Sequence, residues 1–342
     1  ETRIEAVVAE PNMLQRPRPE SRARFHDDFG QRFLVTVDTE EEFDWSRPLD
    51  REGHTLLSVP ALRKFQEFCE GYGVTPVYLV DYPIVNTPLA VQAIGEAVRE
   101  GRAEICVQLH PWVNPPFEEA ITAHNSFAGN LPRELEEAKL QRLKAKIEEV
   151  FGAPPLIYRA GRYGLGADTA SILRANGIAI DSSVRARFDY SGEGGPNYRH
   201  HPCHPYWVGT DDPRILELPL TSLYWGPLRQ LGDWIYPRLW RAPGLRGMLA
   251  RLGLLERIAL TPEGITAHEA MRGVDIALDD GVPLLVFSFH SPSLAPGYTP
   301  YVRDDAELDA FYAWWRTLFD YLATRGVSST SVKDIMRCVE LP

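Results

Sequence analysis

Residues that could transfer protons or bind a metal follow several short apolar runs of this 342-residue chain. One run ends at Asp38, at the start of an acidic cluster, a second ends at Gln108 and His110, and a later one ends at His290. Carboxylates and imidazoles exchange protons during hydrolysis and are common ligands of divalent metals. A purely structural protein does not need such residues at nearly every one of these ends, so the pattern predicts a hydrolytic site.

The apolar runs have the length and composition of strands, and helical patterns alternate with them. The predicted strands lie at 33–38, 75–80, 104–109, 156–159, 178–180, 214–219 and 283–289. The predicted helices lie at 58–72, 88–100, 132–151, 167–176 and 266–280, the last with a Thr266–Glu269 capping box, and a further helix starts at Asp304. This alternation indicates βαβ units with a mainly parallel sheet, and the number of units favours a barrel over an open sheet.

Two segments interrupt the alternation. Residues 1–30 are polar and contain prolines without a clear period, which predicts an N-terminal arm lying on the surface of a barrel domain at 31–342. Residues 223–258 are rich in Trp, Leu and Arg, and we interpret them as a helical insertion that packs over the barrel. Their amphipathic and basic character leaves open a peripheral contact with a membrane or a glycolipid.

The composition excludes several classes of protein. Hydrophobic residues make up 44% of the chain and charged residues 24%, which is typical of a globular protein and not of a disordered one. The net charge is −11 and there is no basic run, so we do not expect a nucleic-acid partner. No stretch of about 18 consecutive apolar residues predicts a membrane-spanning helix.

The four cysteines are widely separated and form no Cys-x-x-Cys pair, which suits a reducing compartment. We therefore expect a cytoplasmic protein, peripheral to the inner membrane if residues 223–258 bind it. The sequence starts at Glu1 without a methionine, which leaves open a leader removed before that point.

Four motifs occur in a defined order along the chain. They are Val37-Asp-Thr-Glu-Glu-Glu-Phe-Asp-Trp45, Leu109-His-Pro-Trp-Val-Asn-Pro-Pro116, Tyr158-Arg-Ala-Gly-Arg-Tyr-Gly164 and Phe289-His-Ser-Pro-Ser-Leu294. Together they resemble the polysaccharide deacetylases of the NodB homology type, and in particular the WalW-like branch. The resemblance extends from about Phe33 to Met336. It implies a distorted (β/α)7 barrel that hydrolyses an acetyl group on a sugar, usually with a divalent metal.

The resemblance also implies the two groups that transfer protons. Hydrolysis of an amide needs an activated water, stabilisation of the oxyanion and a proton for the leaving amine. Asp38 stands where the family has its general base, and His290 matches the general acid.

Further roles follow from the same motifs. Arg159 or Arg162 would orient the base, because the spacing differs by one residue from the commonest family pattern. The backbone N–H of Tyr163 would face the developing oxyanion. Asp181 would pair with one of these arginines or orient the general acid.

The expected metal site departs from the family pattern. That pattern has a second aspartate directly after the base and two histidines four residues apart, whereas this chain has Thr39, Gln108 and Trp112 in those positions. Glu40 could supply the carboxylate and His110 the imidazole, but a neutral amide oxygen is a poor zinc ligand. We therefore expect either a divalent metal, zinc before others, at Glu40, Gln108 and His110, or no metal.

Aromatic faces and amides typical of sugar binding are available at Trp112, Asn114, Asn125 and Trp225. The predicted function is deacetylation of an amino sugar in a cell-envelope polysaccharide or lipopolysaccharide precursor, with a carbohydrate or glycolipid as the substrate. One alternative is a metal-independent amidohydrolase acting on a small cyclic amide. The other is a non-catalytic carbohydrate-binding protein that has lost its metal site at Gln108.

Overall fold

Strands and helices alternate along the chain, as the apolar periodicity predicts. The computed structural model describes residues 12–44, 47–210 and 212–342, so residues 1–11 of the predicted arm and Trp45 of the first motif lie outside the described residues. The strands are β1 (Arg32–Thr39), β2 (Val77–Val80), β3 (Glu104–Leu109), β4 (Ile157–Ala160), β5 (Ile180–Asp181), β6 (Tyr206–Val208), β7 (Ile215–Glu217), β8 (Ser222–Trp225), β9 (Glu256–Ala259), β10 (Leu284–His290) and β11 (Ser328–Ser329). The helices are α1 (Leu62–Gly71), α2 (Tyr82–Val85), α3 (Pro88–Arg99), α4 (Arg133–Phe151), α5 (Thr169–Ala175), α6 (Gly232–Arg238), α7 (Pro243–Arg251), α8 (Ala267–Asp279), α9 (Asp305–Thr324) and α10 (Val332–Cys338).

The main sheet is a curled run of parallel strands in the order β10-β1-β2-β3-β4-β5-β7. Strand β6 adds to the end of this run antiparallel to β7, and β11 pairs with β1. Between β7 and β10 the sheet is bridged by Thr221, whose N–H donates to the Val286 carbonyl at 3.2 Å. The Thr221 hydroxyl accepts a hydrogen bond from the Val286 N–H at 2.9 Å. Seven parallel strands with one irregular junction make a distorted (β/α)7 barrel, which confirms the predicted fold class.

Alternation of side chains along the strands separates an outer core from an inner one. The outer core packs the sheet against the helices, for example through Phe33, Phe287 and Trp315. The inner core contains Leu34 and Val286. Four polar side chains continue the inward-facing series toward the carboxyl ends of their strands: Asp38 after Leu34, Gln108 after Cys106, Arg159 after Ile157, and His290 after Val286. The period of two along a strand thus directs the predicted catalytic residues into the barrel mouth.

Most of residues 12–30 are exposed or half-buried, and a few of their side chains also enter the core. Met13 is buried, and Ala23 and Phe29 belong to the inner core. The Ala23 N–H donates to the Pro205 carbonyl at 2.9 Å, and Phe25 pairs with Val339. Single apolar residues in a polar stretch have no period, so their burial was not predictable from the pattern.

Residues 223–258 form a two-stranded sheet with two helices, and the sheet packs against α8 through Leu223 and Ile258. Strands β8 and β9 pair antiparallel, and helices α6 and α7 lie between them in the chain. Tyr224, Tyr236 and Leu255 form a small core, whereas 61% of Trp234 and 62% of Leu252 is exposed. None of the described helices is long and apolar enough to cross a bilayer. The peripheral membrane contact stays a prediction.

Candidate active site

A cavity of about 580 Å³ opens at the carboxyl ends of the parallel strands. Parallel α/β barrels place their functional residues at this end, because the loops after the strands converge there. Acidic, basic and aromatic side chains share its wall, among them Asp38, Glu40, Gln108, His110, Trp112, Arg159, Arg162, Tyr163, Arg185 and His290. The cavity therefore brings together the predicted base, the predicted acid and the predicted metal ligands, whose positions in the chain are up to 252 residues apart (290 − 38 = 252).

Asp38 is held by the fully buried Arg159 on β4. One Arg159 Nη donates to the Asp38 carboxylate and to the Ser288 hydroxyl, and the other donates to the Thr36 and Ser182 hydroxyls. The Arg159 Nε donates to the Ser182 carbonyl at 2.7 Å. All the N–H groups of the guanidinium thus have acceptors, which holds the head group, and with it Asp38, in one orientation. Arg159, and not Arg162, contacts the predicted base.

The turn after β4 shapes the wall opposite Asp38. Arg162 and Tyr163 have φ angles of 54° and 60°, a left-handed conformation that is uncommon for residues with a side chain. Arg162 turns to the rim, where its guanidinium pairs with Glu193. A Cβ at Gly161 would lie 2.4 Å from the His110 ring, so glycine lets this turn pack directly on His110. The turn therefore places Tyr163 in the cavity wall.

His290 is oriented by a carboxylate that the sequence motifs did not indicate. Its Nδ1 lies 2.7 Å from Glu263 Oε2, and its backbone N–H donates to Glu263 Oε1 at 3.1 Å. The Ser293 hydroxyl also donates to Glu263, at 2.7 Å. With Nδ1 engaged in this way, His290 Nε2 faces the cavity 4.0 Å from Asp38 Oδ2. The carboxylate and the imidazole are close enough to act on opposite sides of one reacting bond.

The charges around His290 favour its protonated form. Burial lowers the pKa of His290, but the negative charges of Glu263, Glu40 and Asp38 and the hydrogen bond that His290 donates to Glu263 outweigh burial and raise this pKa to about 10. For the same reason the pKa of Glu263 is lowered: burial raises it, and the imidazolium of His290 with the hydrogen bonds of Ser293 and His290 outweighs burial. At neutral pH the pair is an ion pair, and His290 holds the proton that a general acid must give.

Asp181 does not have the position predicted for it. Its carboxylate accepts hydrogen bonds from the Ser183 hydroxyl at 2.7 Å and the Ser183 N–H at 2.9 Å, and it lies against Glu217. Burial is the main cause that raises the pKa of both Asp181 and Glu217. His290 takes Glu263 as its partner instead, because the loop after β9 reaches the mouth and the end of β5 is buried behind it.

The substitution Glu263→Gln tests the role of the His290 partner. We expect the alkaline limb of the activity profile to move to lower pH, because removing the largest source of negative charge lowers the pKa of His290 from about 10. The general acid then loses its proton earlier as pH rises. The measurement is kcat/KM from pH 6 to 11. Glu307→Gln, on the exposed start of α9, is the control, and an unchanged limb in Glu263→Gln would contradict the assignment.

The predicted metal ligands converge on the cavity floor. Glu40 Oε2 lies 3.0 Å from Gln108 Nε2 and 3.4 Å from His110 Nε2, and Gln108 Nε2 lies 3.1 Å from His110 Nε2. Burial raises the pKa of Glu40, and with the partly offsetting charges of His290 and His110 the value reaches about 8. Gln108 Oε1 is buried without a hydrogen-bond partner. Rotating the Gln108 amide by 180° would put Oε1 in the place of Nε2, beside Glu40 Oε2 and His110 Nε2. One carboxylate, one imidazole and one amide oxygen therefore fit a divalent cation.

A second acidic group supports His110 from behind. Glu41 Oε2 lies 3.0 Å from His110 Nδ1, and Asp81 Oδ2 lies 3.8 Å from the same nitrogen. The Trp112 indole also donates to Glu41, at 2.9 Å. Burial is the main cause that raises the pKa of Glu41 and, more strongly, of Asp81. A carboxylate on Nδ1 fixes the tautomer that leaves Nε2 as an acceptor, which is the usual arrangement of a metal-binding histidine.

Of the described residues, Glu41, Asp81 and His110 are the group of acidic and imidazole side chains whose ligand atoms lie within 4.8 Å of one another. Glu41 and Asp81 are fully buried and do not line the cavity. A cation on this side of His110 would be separated from a substrate. We therefore assign Glu41 and Asp81 to the support of His110.

The four predicted sugar contacts have different positions. Trp112 lines the cavity and stacks on His110 with ring centroids 4.3 Å apart. Asn114 is fully buried and its amide donates to the carbonyls of Pro115 and Lys139. Asn125 donates to the Ala120 carbonyl, and Trp225 stacks under Arg272 beside β9. These last three do not line the cavity. Residue type alone predicted them, and it does not show which way a side chain points.

Sequence reasoning missed Glu263, Glu41, Asp81 and Arg185. A signal existed for Asp81, which directly follows a predicted strand, and for Glu41, which lies in the acidic run. Glu263 follows β9, a short strand inside the segment interpreted as a helical insertion. Since the sequence pattern predicted no strand there, Glu263 was not recognised as a residue that follows a strand.

Comparison with solved structures supports the barrel. A 4-alpha-glucanotransferase from Thermococcus litoralis matches with a TM-score of 0.53 and 14% identity, over 92% of this chain and 42% of that one. A protein described as a polysaccharide deacetylase from Mycobacterium smegmatis matches with a TM-score of 0.46 and 17% identity, over 92% of this chain and 98% of that one. Another so described, from Pseudomonas aeruginosa, has a TM-score of 0.49 and 14% identity, over 91% of each chain. No family model and no curated protein matches the sequence. The glucanotransferase likeness shows the fold, and the WalW-like branch stays a prediction.

Proposed function

We propose that this protein is a hydrolase that removes an acetyl group from an amino sugar of a cell-envelope polysaccharide or lipopolysaccharide precursor. The observation that carries the proposal is the approach of Asp38 and His290 to 4.0 Å in one cavity, each held by a buried partner of opposite charge. Arg159 holds Asp38 in one orientation. Glu263 binds His290 Nδ1, so that the protonated Nε2 faces the cavity. A carbohydrate-binding protein needs neither arrangement.

The proposed reaction uses these groups in turn. Asp38 takes a proton from a water molecule as its oxygen attacks the acetamide carbonyl carbon. The tetrahedral oxyanion lies against the Tyr163 backbone N–H, which stabilises the negative charge. His290 Nε2 gives its proton to the leaving nitrogen as the C–N bond breaks. Acetate and the free amine leave, and the proton on Asp38 returns to His290 through solvent, so the pair is ready for another cycle.

Glu40, Gln108 and His110 would hold a divalent metal beside this reaction. When bound, such a cation polarises the carbonyl oxygen and adds to the stabilisation of negative charge. The buried carboxylates behind His110 keep its Nε2 available as a ligand. The amide of Gln108 must turn for this purpose, so we propose that the site binds metal less tightly than a site with two imidazoles and a carboxylate would.

The experiment is a direct measurement of acetate from the purified protein. Chitooligosaccharides of three to six sugars are incubated with EDTA, Zn²⁺, Mn²⁺ or Mg²⁺, and allantoin is tested in parallel. We expect acetate release, faster with a metal than with EDTA. Turnover of allantoin alone, unaffected by EDTA, would instead support the metal-independent amidohydrolase. Oligosaccharide binding without acetate under every condition would support the carbohydrate-binding alternative.

A further inference from the structure

One cation in the cavity wall, Arg185, forms no ion pair with any carboxylate of the described residues. Arg185, four residues beyond β5, lines the cavity together with Tyr163 and His290. Within the described part of the chain, no carboxylate oxygen lies within 4.0 Å of its guanidinium. Its one side-chain hydrogen bond there goes from Nη1 to the Tyr190 hydroxyl, at 3.3 Å. Since a guanidinium has five N–H donors, most of the binding capacity of Arg185 is left for another molecule.

The other arginines of the cavity differ from Arg185 in this respect. Arg159 pairs with Asp38, and Arg162 pairs with Glu193. Arg47 at the rim pairs with Asp44 at 3.0 Å. Each of these positive charges is therefore compensated by a neighbouring carboxylate. Among the described residues, Arg185 feels the charge of Glu263 but has no carboxylate within 4.0 Å, although it lies beside the proposed reacting groups.

The side chain of Arg185 is held in place by packing. Its backbone forms a parallel bridge with Leu220, supported by a hydrogen bond from the Leu220 N–H to the Val184 carbonyl at 2.9 Å. The guanidinium lies over the Phe188 ring at 4.0 Å and faces Tyr163 at 5.4 Å. Stacking orients the planar head group and still leaves its N–H edge available. A preorganised guanidinium of this kind suits recognition of a planar or tetrahedral oxyanion.

A second guanidinium, that of Arg257, lies close to Arg185, and the two positive charges repel each other when no ligand is bound. Arg257 lies 3.4 Å from the centre of the same Phe188 ring, and its Nη1 donates to the Arg187 carbonyl. The described residues give Arg257 no carboxylate within 4.0 Å either. Two cations that share one ring repel each other, and an anion bound to Arg185 would reduce this repulsion.

We propose that Arg185 binds an oxyanion, a carboxylate or a phosphate, carried by the sugar whose acetamido group lies between Asp38 and His290. This inference rests on the proposed function, because it names the class of sugar that the same cavity accepts. An acidic amino sugar would place its negative group on the Arg185 edge and its amide at the base and the acid. A neutral amino sugar would leave the guanidinium in the cavity without a counter-charge.

Binding can be measured apart from turnover. The full chain carrying Asp38→Asn, which is expected to slow turnover strongly, is titrated by calorimetry with N-acetylglucosamine, N-acetylglucosamine 6-phosphate and N-acetylmuramic acid. The same titrations are made after adding Arg185→Gln, Arg185→Lys or, as a matched control for lost charge, Arg142→Gln on the exposed face of α4. Circular dichroism of every variant monitors the fold.

We expect at least one acidic sugar to bind about 10- to 100-fold more tightly than the neutral sugar, because hydrogen bonds to charged groups contribute on that scale. Arg185→Gln should remove the difference, Arg185→Lys should restore part of it, and Arg142→Gln should leave it unchanged. Preference for the phosphate or for the carboxylate sugar identifies the source of the oxyanion.

Equal affinities for neutral and acidic sugars, or a preference that survives Arg185→Gln, would overturn the inference. Loss of folding in Arg185→Gln is distinguished by Arg185→Lys, which keeps the charge and the stem. Acetate release by the chain without Asp38→Asn is measured separately. Tight binding of acidic sugars with no acetate would refute the proposed function and keep the inference. Acetate release from neutral and acidic sugars at equal kcat/KM would refute the inference and keep the proposed function.

Discussion

Replacing Asp38 with asparagine is expected to reduce kcat for acetate release by about 10²- to 10⁴-fold, the usual contribution of a general base. Asparagine is nearly the same size and can still accept a hydrogen bond from Arg159, so the cavity keeps its shape. What is lost is the group that takes the proton from water. The measurement is kcat and KM on the best chitooligosaccharide, and we expect the effect to fall on kcat.

Asp309→Asn is the matched control, since Asp309 is exposed on α9 and the same charge is removed there. Its kcat should equal that of the unaltered protein. Thermal unfolding of both variants separates loss of chemistry from loss of structure. Acetate release by Asp38→Asn at the rate of the control would show that another group activates the water, and the first candidate would be Glu40.

Replacing Lys139 with methionine is expected to destabilise the protein by about 3–5 kcal/mol, the cost of removing one partner from a buried ion pair. Lys139 lies on α4 with none of its side chain exposed. Its ammonium group donates to the carbonyls of Pro111, Asn114 and Pro116, and Glu119 Oε1 lies 3.0 Å away. Methionine fills the space but leaves these acceptors buried and unpaired.

Urea denaturation at pH 7 measures this change in the free energy of unfolding. Lys146→Met on the same helix is the control, because Lys146 pairs with an exposed Glu149 and such surface pairs contribute about 0–1 kcal/mol. Lys139 also anchors the loop that follows His110, so we expect acetate release to fall with stability. An equal, small loss in both variants would show that Lys139 does not hold this loop.

Several acidic side chains are buried together at the mouth of the barrel, where Asp38 lies. Asp38, Glu40, Glu41 and Asp81 are all buried. Burial of a charge is costly unless a partner or a proton compensates it, and each of these groups has one or the other. Arg159 compensates Asp38, and burial raises the pKa values of Glu40, Glu41 and Asp81, which favours their neutral forms. Folding thus holds these acidic groups close together at the mouth of the barrel, in an arrangement that a reaction can use.

Local pattern predicted the elements of the barrel well. The helix predicted at 132–151 is α4 at Arg133–Phe151, and the capping box of Thr266 and Glu269 occurs at the start of α8. These features depend on neighbours within a few residues, so the sequence contains them directly. The inward direction of Asp38 and His290 also follows from the period of two along β1 and β10.

Local sequence pattern does not predict which distant segments contact one another. Arg159 and Arg162 both fit the motif, and only the curl of the sheet, which brings the Arg159 side chain on β4 to Asp38 on β1, selects Arg159. The partner of His290 was sought at Asp181, whereas Glu263 reaches it from the loop after β9. Periodicity shows which face a residue occupies and not which loop approaches that face.

The sequence by itself therefore determined the α/β barrel, the strand ends that carry the reactive residues, and the absence of a histidine at positions 108 and 112. The tertiary structure decided which charges pair: Asp38 with Arg159, His290 with Glu263, and His110 with Glu41. It also decided that Arg185 lines the cavity with no carboxylate of residues 12–44, 47–210 or 212–342 within 4.0 Å. The physical reason is that secondary structure follows from short-range periodicity, whereas the charge state of a buried group depends on residues that only folding brings within a few ångströms.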